Sequence, residues 1–130
     1  MHKVFLGGTC NGSTWREKLI PNLKIDYFNP VVKDWTPDCV KVEEDQKANH
    51  CDIHLYYIDA KLSGVYSIAE MIQSSHDKTK TTIIQINPRG FTESMKRSLK
   101  ACIDLARTNG AITIWSEDLT QLANELNTLY

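Results

Sequence analysis

The sequence has no excess of charge of either sign: 15 lysines and arginines oppose 16 aspartates and glutamates, for a net charge of −1. Gripping duplex DNA or an anionic membrane takes a concentrated basic surface, so neither partner is expected. A single phosphate needs only a few residues, and a small anionic ligand stays possible. Long hydrophobic runs are also missing. No stretch approaches the roughly 20 apolar residues of a membrane span, and Val4-Phe5-Leu6 is too short for the core of a secretory signal. A cytoplasmic location is the expectation. The four cysteines, Cys10, Cys39, Cys51 and Cys102, form no Cys-x-x-Cys pair, and His50-Cys51 is a doublet without a second ligand pair. They read as reduced, mostly buried thiols, with no metal centre and no cofactor. There is no linker, internal repeat or low-complexity segment, and residues 1–130 are read as one domain.

What is present is alternation. Val4-Phe5-Leu6 ends in Gly7-Gly8 as a strand leaving a sheet through a glycine turn. Ser13 or Thr14 is placed to cap a short helix through Trp15 and Leu19, stopped by Pro21. Ile25-Asp26-Tyr27-Phe28 is a second strand, closed by Asn29-Pro30, and a polar loop with Asp34 and Trp35 follows. Pro37 suits the first turn of a helix running to about His50. Ile53-His54-Leu55-Tyr56-Tyr57-Ile58 is apolar or aromatic almost throughout, as a central strand covered on both faces must be. A helix beginning near Ser63-Gly64 carries the stripe Val65, Ile68, Ala69 and Ile72. Thr82–Ile86 and Ala111–Trp115 are two more strands, separated by a long helix with the stripe Phe91, Met95, Leu99, Cys102, Ile103 and Ala106. Leu119, Leu122, Ala123 and Leu126 mark a last helix.

Strands that alternate with helical crossovers imply a parallel sheet covered on both faces. The expected fold is therefore α/β: a three-layer flavodoxin-like or Rossmann-like domain with a five-stranded parallel sheet. Ligands of such sheets bind outside the carboxyl ends of the strands. That rule directs attention to the residues after Leu6, Phe28, Ile58 and Ile86.

On this rim Gly7, Gly8, Thr9 and Asn11 form a loop whose backbone N–H groups can approach a ligand, although the run matches neither the Walker loop nor the dinucleotide fingerprint. Arg16 is either a phosphate ligand or a solvated surface residue. Glu70 lies near the start of the helix after the third strand, on the side of Tyr66, Ser67 and Ser74, while Val65, Ile68 and Ile72 take the buried side. The helix dipole favours its ionised form there, which suits a carboxylate nucleophile; a plain solvated glutamate is the alternative. The preceding helix carries Glu43-Glu44-Asp45. A second carboxylate from it beside Glu70 gives the pair needed for displacement at an anomeric carbon. Trp35, Tyr66 and Phe28 offer aromatic surface for a base or a sugar. His50 and His54 fall at the strand entrance and read as structural.

Four blocks carry a family resemblance: Val4-Phe5-Leu6-Gly7-Gly8-Thr9; Tyr27-Phe28-Asn29-Pro30 with Asp34-Trp35; Cys51–Ile58; and Gly64-Val65-Tyr66-Ser67-Ile68-Ala69-Glu70. In this order they resemble the nucleoside 2-deoxyribosyltransferase-like family over about the first two-thirds of the chain. The resemblance implies cleavage or transfer of the N-glycosidic bond of a 2'-deoxynucleoside or deoxynucleotide. Glu70 is then the nucleophile at C1', and Glu44, or alternatively Asp45, assists departure of the base. Ser63 and Gly64 fall where relatives bind the sugar hydroxyls, and Ser63 is a candidate to bind a hydroxyl or a 5'-phosphate. Two departures stand out. The family's tyrosine after the first strand is replaced by Gly7-Gly8-Thr9, and its aspartate before the nucleophile gives way to Lys61-Leu62-Ser63-Gly64, with Asp59 further back. The resemblance also implies a homodimer or higher homo-oligomer, with sites completed by a neighbouring subunit, sometimes through a terminal tyrosine such as Tyr130. Competing readings are a nucleotide-binding or sensing module without turnover, an NAD-cleaving TIR-like domain, and a receiver-like domain. The last should carry an acidic pair where Gly7-Gly8 stands.

Overall fold

A computed structural model describes residues 2–10, 12–32 and 34–129. Two expectations, Asn11 and Tyr130, lie outside them. Five strands form one sheet in the order β2-β1-β3-β4-β5: β1 (Lys3–Gly8), β2 (Asp26–Phe28), β3 (Ile53–Ile58), β4 (Thr81–Ile86) and β5 (Ile112–Trp115). Every pairing is parallel. The expected three-layer flavodoxin-like arrangement is therefore present, and β3 is its centre.

Helices cover both faces, which is why β3 and β4 read as nearly continuous apolar runs. On one face Val4, Leu6, Leu55 and Tyr57 pack against Trp15 and Leu19 of α1 (Trp15–Leu19) and Leu122 and Leu126 of α5 (Leu119–Asn127). On the other, Tyr56, Ile58, Ile84 and Ile86 pack against Met71 of α3 (Tyr66–Ser75) and Leu99, Ile103 and Ala106 of α4 (Glu93–Thr108). Each buried Val, Leu, Ile or Met among them contributes about 1.5–3 kcal/mol. Thr92 caps α4 by accepting a hydrogen bond from the Met95 N–H (3.1 Å), and Asp118 caps α5 through the Gln121 N–H (3.0 Å). The hydroxyl of Thr14 caps nothing.

The remaining helix, α2 (Asp38–Asp45), differs in kind: it has no buried residue, and Val40 and Val42 are exposed. It runs on into a wider π-turn over Gln46–His50, closed by a 2.8 Å hydrogen bond from the Cys51 N–H to the Gln46 carbonyl five residues back. Insertions of this kind gather at functional sites.

Several local expectations need correction. Val65, assigned to the buried stripe of α3, is 79 % exposed, because it precedes the first turn and lies off the sheet. Met71, Ser74 and Ser75 are the buried positions instead. Of the four cysteines, all free thiols, only Cys51 is buried; burial pushes its thiol up to about 11. Among the described residues no helix is long and apolar enough to cross a membrane.

Candidate active site

The strand order reverses between β1 and β3, the crevice where open α/β sheets bind ligands. Here β1 ends in two glycines, and the neighbouring strand explains both. A Cβ on Gly7 would stand 2.7 Å from the Tyr56 ring, and one on Gly8, whose φ is +116°, would stand 2.1 Å from the Tyr57 carbonyl oxygen. The glycines let β3 side chains and backbone close over the end of β1, leaving a floor with no side chain of its own.

Over this floor α2 and α3 enclose a cleft of about 380 Å³. It is lined by Gly7, Gly8 and Cys10 below, Glu43, Glu44 and Lys47 on one wall, and Tyr66, Ser67 and Glu70 on the other. A shallower extension runs past Gly8, Thr9 and Cys10 to Ser63 and Gly64. A third hollow, between the π-turn and α3, shares Glu44, Lys47, Tyr66 and Glu70 and reaches His54, Tyr56 and Ser74. Glu70 and Lys47 stand between the first hollow and the third.

Charge is the distinguishing property of the cleft. Lys47 Nζ donates to Glu70 Oε2 at 2.7 Å, both side chains being mostly buried. Glu43, on the same wall as Lys47, has its carboxyl pKa raised, first by burial and then by the charge of Glu70, with Lys47 and Arg16 opposing. Two carboxylates in one cleft thus have unequal environments: one is paired with a cation and the other is pushed toward its protonated form. Separating the roles of acid and nucleophile requires such an inequality. Burial, and secondarily Glu70, also raises the Tyr56 phenol well above its usual range.

The expected residues divide clearly. Glu70, Glu44, Gly7, Gly8, Arg16 and Tyr66 line the main cleft, and Thr9, Ser63 and Gly64 line its extension. Asp45 lines none of these hollows. It faces solvent, accepts from Asn49 Nδ2 (2.8 Å) and pairs with His50 (3.1 Å), contacts that hold its carboxyl below the usual value. Trp35 is 63 % exposed and lines no hollow with Glu70, and Phe28 stacks on Phe5 at 5.8 Å.

Arg16 lines the cleft but is not a solvated surface residue. It is only 5 % exposed, and its guanidinium donates to the carbonyls of Leu6 (2.9 Å), Thr9 (2.8 Å) and Gly8 (3.4 Å). Desolvation lowers its pKa, with Cys10, Glu43 and Asp59 opposing. Thr9 is also part of the frame: its N–H donates to the Tyr57 carbonyl (3.0 Å) and its hydroxyl accepts from the Asp59 N–H (3.1 Å).

Lys47 is a cleft residue that sequence reasoning passed over, and Glu43, Ser67 and His54 were noted in the sequence without being assigned to the site. The Ser67 hydroxyl donates to the Gly8 carbonyl (3.1 Å), joining α3 to the end of β1. His54 was assigned to the far end of the sheet, yet it lines the hollow behind Glu70. The wider turn at Gln46–His50 was the missing signal, because it alters which side chains face inward after Asp45. Among the described residues no group of three or more His, Cys, Asp or Glu side chains is arranged to hold a metal ion.

These features define an all-parallel, doubly wound domain whose switch-point cleft is built on carboxylates rather than on a phosphate loop. The model of the nucleoside 2-deoxyribosyltransferase-like family matches residues 1–89, which contain the cleft-lining residues named above, and the chain belongs to that family. No curated protein and no solved structure gives a significant match to the chain.

Proposed function

We propose that the protein cleaves or transfers the N-glycosidic bond of a 2'-deoxynucleoside or deoxynucleotide through a covalent intermediate on Glu70. The observation that supports this most is the unequal pair on facing walls of one cleft: Glu70 against Lys47, and Glu43 pushed toward its protonated form. In the first step a Glu70 oxygen bonds to C1' while the C1'–N bond breaks, its electron pair leaving with the base. Glu43 gives its proton to the departing base as general acid. Water or a second base then attacks C1', freeing Glu70 and returning a proton to Glu43. Water gives hydrolysis and a base gives transfer. Glu44 lies on the same wall and is more exposed, which suits contact with the substrate better than proton transfer.

A homo-oligomer accompanies this reading. Val40, Val42, Val65 and Tyr66, all exposed on the two helices that flank the cleft or at their ends, would be covered by a second copy. Light scattering of the purified chain tests it, and a monomer at all concentrations would remove that part.

The activity is tested by incubating the protein with deoxynucleosides, their monophosphates and NAD and resolving free base by chromatography. Turnover by wild type that persists in Glu70→Ala would sink the mechanism. A nucleotide-binding module without turnover is the second reading, favoured by the absence of a tyrosine at Gly7-Gly8. Thermal stabilisation by nucleotides with no base released would establish it.

A further inference from the structure

Lys47 and Glu70 are connected twice, once through side chains and once through the framework. The direct link is the 2.7 Å contact from Lys47 Nζ to Glu70 Oε2. The indirect link begins at the Lys47 carbonyl, which lies 2.9 Å from His54 Nε2. A carbonyl only accepts, so Nε2 carries the proton and Nδ1 is left as an acceptor. Nδ1 lies 2.9 Å from the Ser74 hydroxyl, which therefore donates to it, and Thr82 Oγ1 at 2.7 Å donates to Ser74 in turn. Ser74 stands four residues after Glu70 on α3, one helical turn along the same side. The path from Glu70 through Lys47, His54 and Ser74 returns to the helix it left, closing a ring that spans the π-turn, β3 and α3.

We propose that Lys47 is the positioning residue for Glu70, and that His54 and Ser74 hold the Lys47 main chain in register for that role. The proposal rests on the reading of Glu70 as nucleophile. Lys47 occupies one carboxylate oxygen, while the other has no hydrogen-bond partner among the described residues. One oxygen is thereby fixed and the other left for chemistry. A second restraint comes from β1, since the Lys47 ammonium sits 5.4 Å from the centre of the Phe5 ring. The charged and titratable groups that share a hollow with Glu70, besides Lys47, are Glu43 and Glu44 from α2, Cys10 and Arg16 beyond the end of β1, His54 and Tyr56 from β3, Tyr66 from α3 and Asp77 just after it. Lys47 is the cation placed among them on that wall. The π-turn is what puts it there: its widened ring starts at Gln46, immediately before Lys47.

The test compares Lys47→Met, Lys47→Arg and Ser74→Ala with wild type by steady-state kinetics on whichever deoxynucleoside wild type turns over, with Glu70→Ala as reference. Misplacing a reacting group by about 1 Å costs on the order of 10²-fold. Lys47→Met should therefore lose about that much in kcat with KM changed less than about threefold, and Lys47→Arg should recover at least about tenfold of the loss. Ser74→Ala, which opens the ring at its far side, should lower kcat by only a few-fold. If Glu70→Ala abolishes turnover while Lys47→Met keeps its kcat, the positioning role is overturned and the nucleophile stands. If Glu70→Ala retains turnover, the nucleophile itself falls. Crystal structures of wild type and Lys47→Met give a readout that needs no turnover. The proposal expects the Glu70 carboxylate to be displaced in the variant, and an identical Glu70 rotamer in both would overturn it.

Discussion

Arg16 and Lys47 both border the cleft at the end of β1, one from α1 and the other from the π-turn. Both are cations removed largely from water, and both are within the influence of Glu43. Their partners differ. Arg16 directs its guanidinium to main-chain carbonyls of the β1 end and to Cys10 Sγ, so its charge serves the frame around that loop. Lys47 donates to a carboxylate whose second oxygen has no partner among the described residues. A buried polar group saturated by backbone is framework, since leaving those carbonyls unpaired costs free energy. A buried pair with an open valence is where chemistry can enter. A similar contrast holds in the extension of the cleft between Thr9, tied to Tyr57 and Asp59, and Ser63 and Gly64, which line it beside Thr9.

Substitutions on the two sides of this comparison should fail in different ways. The largest effect is expected at Glu70: Glu70→Ala should lower base release by at least about 10³-fold with its unfolding transition retained, measured by chromatography and urea titration. Glu43→Gln should lower kcat by about 10²-fold, the ordinary contribution of a general acid. The sign with pH follows from its raised carboxyl pKa, due to burial and then to Glu70. Activity that needs the protonated form is present below the elevated folded-state pKa and is lost as pH rises through it. Wild type should show that alkaline fall, and Glu43→Gln should not.

Arg16→Met should break the other side. With the Leu6 carbonyl losing its Arg16 donor and the Thr9 carbonyl left to Trp15 Nε1 alone, the loss should be about 1–3 kcal/mol in urea, and larger than that of Lys47→Met. A reversed order, with Lys47 the more stabilising residue, would remove the distinction between frame and site. His54 supplies a smaller effect. Burial lowers its pKa below the ordinary value, the Lys47 carbonyl opposing. Below about pH 6.5 the unfolded chain binds a proton that the folded protein refuses, so stability should fall as pH drops through that window. A midpoint that does not change between pH 7.5 and 5.5 would contradict this. The smallest effect belongs to Asp45→Asn, whose kcat should stay within about twofold of wild type.

The sheet was legible because its evidence is redundant: apolar runs at Val4–Leu6, Ile53–Ile58 and Thr82–Ile86 each end in turn residues, and the helices between them force parallel strands. The side of α3 that carries Glu70 was partly legible, because Ile68 and Ile72 pack inward and fix the phase of the helix, while the role given to Glu70 came from the family resemblance. On α2 that phase could not be read. The helix buries no side chain, so no apolar stripe orients Glu43, Glu44 and Asp45, and Asp45 was favoured over Glu43 with no physical basis for the choice. The π-turn then hid Lys47, because a ring closed five residues back follows no helical period that a sequence pattern shows. His54 was misplaced by treating the beginning of β3 as remote from the cleft. The π-turn doubles back over that end, so the His54 ring meets the Lys47 carbonyl.

The proposed role of Glu70 is that of nucleophile in glycosidic bond cleavage. Its most direct test is the release of free base from a panel of deoxynucleosides and deoxynucleoside monophosphates by wild type and Glu70→Ala side by side. Base released by wild type and absent with the variant is the predicted result. Equal release by both, or none from any substrate by a folded wild type, would contradict it.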